Sequence, residues 1–244
     1  MFDDARRKLR AVANPERAAG SARYFKTGPG EYGEGDTFLG LTAADLHRLA
    51  REFQSMSLRD VRRLLASGWH EERVLALLIL VRQYEHGDAA TKEKIYDAYL
   101  RSTRHINNWD LVDCSAPQIV GGHLTGRGRA PLRRLAKSSS LWERRIAIVA
   151  TLHLIRLGEF DDTFRIAEML LRDPHDLIHK ATGWMLREVG KRDRRRLEVF
   201  LDQHAALMPR TMLRYALEHF PEAARRGYLS ARKSQLSSYK SLSE

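Results

Sequence analysis

The chain has 244 residues, 43% of them hydrophobic, and carries 42 Lys and Arg against 31 Asp and Glu, for a formal charge of +11. That is enough apolar material for a substantial core and excludes a disordered chain, while the longest apolar run, VLALLILV, is too short to span a bilayer. Its one cysteine, Cys114, excludes an intramolecular disulfide, a cysteine-built zinc site and a protein-ligated iron–sulfur cluster.

In chain order, the start MFDDARRKLR has early acidic residues and no apolar segment behind it, so no secretory signal is expected. An N-terminal helix carries Tyr24, and GPGEYGEGDTFLG, residues 28–40, follows. Its glycines suggest a phosphate cradle, but Glu31, Glu34 and Asp36 would repel phosphate, and it reads as a loop. Apolar residues then recur at i, i+3, i+4 and i+7 in VRRLLASGWHEERVLALLILVRQYE, predicting helices over 61–85. The stretch NNWDLVD opens another helix, with Asn107 or Asn108 as cap and Asp110 favoured in the first turn by the helix dipole. GGHLTGRGR, 121–129, lacks the spacing of a P-loop and reads as a basic connection. Further helices are predicted at LWERRIAIVATLHLIRLG, DLIHKATGWMLREVGKRD and MPRTMLRYALEHF, and alternating strand patterns are almost absent. Residues 221–244 read as a basic, Ser-rich, partly disordered tail behind a single domain over 1–220.

The helices repeat. Arg73, Asp110, Arg145, Lys180 and Arg214 recur at intervals of 34 to 37 residues near helix starts, several followed within a turn by Ala76, Ala147, Ala181 or Ala216. Such a period predicts an all-α, right-handed-type solenoid of HEAT-like helix pairs. Its inner helices would present a concave, largely basic ladder, suited to tracking phosphates. Nucleic acid is the default partner of this charge; solvated arginine faces are the plain alternative.

Candidate chemistry is sparse. The ten histidines show no HExxH or other clear metal-ligand spacing, no GxSxG element occurs, and Cys114 has no neighbouring base in sequence. Trp109 and Asp113 share a helix face at i and i+4. Trp184 follows Lys180 by one turn, with Gly183 leaving room for close approach, whereas Trp69 and Trp142 read as packing residues. A carboxylate, indoles and arginines suit one reaction. A purine alkylated at N3 or N7 leaves as a neutral base, so one carboxylate can stabilise the sugar cation and orient water. Indole faces favour the cationic lesion.

Taken together, NNWDLVD, LWERRIA, KATGWMLRE, RYFKTG and FLGLT resemble the AlkD-type DNA alkylation-repair glycosylases, built from HEAT-like repeats, over about residues 5–220. The resemblance implies that Asp113 is catalytic and that Trp109 and Trp184 contact the lesion-bearing nucleotide. It further implies that Arg145 and Tyr24 contact DNA. It implies excision of 3-methyladenine- and 7-methylguanine-type lesions from duplex DNA, without drawing the base into a pocket. The expectation is therefore a monofunctional glycosylase of base excision repair with no metal or cofactor. Arg73, Lys180, Arg187 and Arg214 are further groove contacts. A monomeric, cytoplasmic, nucleoid-associated protein is expected. The alternatives are a non-catalytic HEAT-repeat protein that binds DNA structures and a scaffold for acidic proteins.

Overall fold

A computed structural model describes residues 1–230, and all regular structure in them is helical apart from one isolated bridge between Thr37 and Trp69. The helices are α1 (Phe2–Ala11), α2 (Pro15–Tyr24), α3 (Ala43–Glu52), α4 (Leu58–Leu65), α5 (His70–His86), α6 (Ala89–Leu100) and α7 (Trp109–Asp113). They continue as α8 (Gly122–Leu124), α9 (Ala130–Ala136), α10 (Leu141–Arg156), α11 (Asp161–Met169), α12 (Asp176–Gly190), α13 (Arg194–His204) and α14 (Arg210–Ala216). Their starts are written locally. Asn14, Thr42, Ser57, Asp88, Asn108, Ser140 and Asp193 each accept a backbone N–H from the helix they precede, and Thr42 forms a reciprocal box with Asp45.

The chain forms two compact units, Met1–His123 and Leu124 onward. In the first, α5 is the hub: α1, α3, α4, α6 and α7 all pack on it. This follows from its composition, since Leu75 to Val81 are all buried and no face of that stretch is left for solvent. The surface helices are one-sided instead; α4 buries Val61, Leu64 and Leu65 and turns Arg59, Arg62 and Arg63 outward. In the second unit α10, α12 and α14 pack on one another in series, while α9 packs on α10 and α11, and α11 and α13 pack on α12. That is the layering of a helical-repeat array, with equivalent helices stacked in one layer and their partners outside. Ile146 to Ile155 of α10 are almost wholly buried, with α9, α11 and α12 all packed on that helix.

Residues 222–230, the first part of the expected basic tail, are helical. The rest of that tail, 231–244, lies outside the described residues. Among the described residues no helix is long and apolar enough to cross a membrane.

Candidate active site

The first unit carries the best-defined site, and it is built on α7. Asn108 is fully buried and extended; its Oδ1 accepts the Trp109 N–H at 2.8 Å, which settles the cap between the two asparagines. Asp110 accepts the Leu111 N–H on Oδ1 at 2.9 Å, the first-turn role its position predicts. Asp113 ends the same five-residue helix, one turn beyond Trp109, and both side chains are half-buried. Beyond it the chain leaves the α pattern and forms a π-helical turn over Pro117–Gly121. Such wide turns are frequent at functional sites. Ser115 stabilises the join, donating to the Leu111 carbonyl at 2.6 Å and meeting the Tyr99 hydroxyl at 3.0 Å. Burial, with the charges of Asp110 and Asp113 added, pushes the Cys114 thiol far up, so it stays protonated and weakly nucleophilic.

A buried ionic chain fixes α7 to the hub helix. His70, 2% exposed, donates from Nε2 to Asp110 Oδ2 at 2.7 Å and from Nδ1 to Asp36 Oδ2 at 3.1 Å. Asp36 also accepts from Arg73 Nη2 at 2.6 Å and from Asn108 Nδ2 at 3.4 Å. Burial on its own would lower the pKa of His70, but the hydrogen bonds to Asp110 and Asp36 outweigh it and raise it to about 9. Burial likewise opposes ionisation of Asp36, and the His70 hydrogen bond and the Arg73 charge overcome it, so its carboxyl lies below the usual range. At neutral pH His70 is therefore an imidazolium and Asp36 an ionised carboxylate. The 28–40 segment is a loop, and its acidic end is structural: Asp36 turns inward, and the Thr37 carbonyl accepts the His70 N–H at 2.8 Å. Buried Glu71 holds the same segment by accepting the Leu39, Gly40 and Leu41 N–H groups at 2.9, 2.7 and 3.3 Å. Gly40, at φ +80°, has no room for a Cβ against the backbone of Asn14 and Ala18.

Aromatic rings complete the site. Phe25 stacks on Trp109 with centroids 5.2 Å apart, and Tyr24, 66% exposed, meets the same indole edge-on at 5.8 Å. Phe38 stacks on both Phe25 and His70, at 5.3 and 4.7 Å. Phe25, Phe38, Asp36 and His70 were not singled out from sequence. Phe25 and Phe38 fall within the RYFKTG and FLGLT stretches, which carry the resemblance without assigning them roles, whereas Asp36 and His70 lie outside both. Beneath the rings lies a cavity of about 290 Å³ reached by Phe25, Phe38, His70, Asp110 and Cys114. Among the described residues no group of three His, Cys, Asp or Glu side chains is placed to hold a metal ion.

The remaining expected residues belong to the second unit. Trp184 is half-buried on α12. Gly183 does permit a close approach, that of α14: a Cβ there would lie 2.5 Å from the Met212 carbonyl and from Tyr215 Cβ. Lys180 pairs with Asp176 at 2.8 Å and is partly exposed, while Arg187 is paired with Glu218. Arg214 is exposed and lines a cavity with Thr211, Tyr215, Glu218 and Arg225.

The expected basic ladder needs correction at two rungs. Arg73 is 4% exposed, with its guanidinium committed to Asp36 and, at 3.0 Å, to the Ser67 carbonyl; it is no open groove contact. Arg145 is 5% exposed and donates to the Leu177 carbonyl at 2.7 Å, so it offers little surface to a phosphate. The physical reason is shared. A side chain at the first turn of an inner helix lies over the seam to a neighbouring segment, where an unpaired carbonyl or carboxylate captures it. The repeated basic position stitches repeats at these two points.

No curated protein matches the chain. A solved structure described as a "Predicted DNA alkylation repair enzyme from Enterococcus faecalis" superposes with a TM-score of 0.66 at 17% identity, covering 86% of this chain and 97% of that one, which shows a shared fold. The family model described as "DNA alkylation repair enzyme" matches residues 5–220, and the chain accordingly belongs to the DNA alkylation repair enzyme family.

Proposed function

We propose that the protein is a monofunctional DNA glycosylase that removes positively charged N3- and N7-alkylpurines from double-stranded DNA. It acts as a monomer in the cytoplasm, at the nucleoid. The observation that carries this reading is the placement of Asp113 and Trp109 on one face of a short, capped helix locked by Asp110 and His70.

The chemistry asks little of the protein. Alkylation has already placed a positive charge on the purine, so the bond from the sugar C1′ to the purine nitrogen breaks with its electron pair going to the base. The base departs neutral, and no general acid is required. C1′ becomes electron-poor, and the Asp113 carboxylate stabilises it and aligns a water. The water oxygen bonds to C1′ and its proton passes to the carboxylate and on to solvent. A Trp109 face attracts the cationic lesion by about 0.5–2 kcal/mol, which favours damaged over normal purines. The stacking of Trp109 on Phe25 and its edge contact with Tyr24 hold that indole still, so little ordering remains to be done on binding. Trp184, Lys180, Arg187 and Arg214 supply the second unit's DNA contacts, and Tyr24 adds one from the first.

The test is incubation of purified protein with methylated duplex DNA and analysis of the released bases. The proposal predicts free 3-methyladenine or 7-methylguanine with the phosphodiester backbone intact. DNA that is bound tightly without release of any base would instead make this a binding protein.

A further inference from the structure

Outside the site just described, the first unit has a second concavity, of about 340 Å³, walled by Arg59, Arg62 and Arg63 of α4 and by Arg101, Arg104 and His105 after α6. No carboxylate lines it. Two acidic residues on the same helices answer part of the charge: Asp60 pairs with Arg63 at 3.2 Å and Asp97 with Arg101 at 3.6 Å. Arg63 also lies over the Phe2 ring at 3.7 Å. Arg59 and Arg62 are exposed and, among the described residues, their side chains have no hydrogen-bond or ion-pair partner, while Arg104 donates there only to His105 Nε2, at 3.0 Å. Three guanidinium charges thus share one small volume without compensation. Burial and the charges of Arg104 and Arg73 hold His105 below its ordinary pKa, which agrees with a positive potential there.

Such clustering disfavours the free protein by self-repulsion and is relieved by an anion. Guanidinium forks match the paired oxygens of a phosphate, and the space exceeds a bare phosphate, leaving room for adjoining sugar. The position adds an argument. One wall is the turn Thr103–His105, which runs through Ile106 and Asn107 into the Asn108 cap of α7. The other wall ends at Ala66, next to the Ser67 carbonyl that Arg73 holds. An anion seated here lies at the root of the segment that carries Trp109 and Asp113.

We infer that this cavity is a phosphodiester site for the backbone of duplex DNA, setting the position of the strand relative to α7. The inference deepens the proposed function and rests on it for the identity of the nucleic acid. Phosphate contacts of this kind fix register without reading sequence.

The test is R59A/R62A in the full chain, with R48A/R51A on α3 as a control that removes equal charge from outside the cavity. Each phosphate contact contributes about 0.9 to the slope of log affinity against log salt, so R59A/R62A should lower that slope by about 1.8. Undamaged and methylated duplexes should weaken alike, because a backbone contact does not read the base. The control should move the slope far less. An unchanged slope, or an equal change in the control, overturns the inference. So does selective loss of inorganic phosphate binding with duplex affinity intact, which marks a free-anion site. Should the parent bind DNA with the predicted slope difference and yet release no base, the cavity stands and the glycosylase reading falls.

Discussion

The helix starts around His70 and around Arg145 meet the same demand with different chemistry. Each lies where a buried carboxylate from a distant segment must be neutralised. At the first, Asp36 is held by His70 and Arg73, and the imidazole reaches on to Asp110. At the second, Asp173 accepts from Arg144 Nε at 2.5 Å, while the Arg144 Nη1 donates to the Ser138 and Ser139 carbonyls at 3.0 and 2.9 Å. Its neighbour Arg145 is spent on the Leu177 carbonyl. A guanidinium keeps its charge at every accessible pH, whereas an imidazolium does not. The first start therefore makes the seating of α7 depend on a titratable group, and the second makes a permanent seam.

The largest effect that tests this contrast is removal of the hub. H70A leaves Asp36 and Asp110 facing each other without the shared cation, and should cost about 3–5 kcal/mol in chemical denaturation. R144A should be costly too, because Asp173 is buried. Only H70A should also slow base release, since only His70 holds α7. Equal activity losses in two variants that both remain folded would erase the distinction.

The pH dependence comes next. The folded pKa of His70, about 9, lies above the ordinary 6.5, so its contribution to stability is complete below about pH 6.5 and fades as pH rises through 9. That of Asp36 runs the other way; it is present above the ordinary carboxylate range and disappears in acid as the pH falls through its depressed folded value. Thermal melts between pH 6 and 10 should show a fall in the parent that H70A lacks and R144A retains.

A third comparison uses two helical glycines, one in each unit. A Cβ at Gly183 meets the α14 backbone, so G183A should destabilise by about 1–3 kcal/mol. Gly20 in α2 has open space around it, and G20A should stabilise by about 0.5–1 kcal/mol. Matching signs would show that the α12–α14 contact is looser than described. The smallest effect concerns the indole: W109A should lower the preference for methylated over undamaged duplex by about 0.5–2 kcal/mol in competition binding.

Local pattern made much of this fold legible. Helices α4, α5, α10 and α12 follow from apolar periodicity, and the cap of α7 from two asparagines before Trp109. What stayed hidden depends on distance in sequence. Asp36 and His70 are 34 residues apart, with the carboxylate in an irregular loop whose acidic residues signal only that phosphate would be repelled. Nothing periodic ties such a pair together. Arg73 was misleading for the opposite reason: its position in the repeat was regular, and a regular position does not say whether the side chain reaches solvent or folds onto a seam. Gly183 did signal a close approach, and its partner proved to be a neighbouring helix.

The central claim is that the Asp113 carboxylate stabilises the sugar cation. Single-turnover release of 7-methylguanine by D113N, alongside duplex affinity measured at the same salt concentration, tests it most directly. The account predicts at least about a 10²-fold fall in the rate of release with affinity preserved. Release at the parent rate by a variant that binds DNA normally would contradict it.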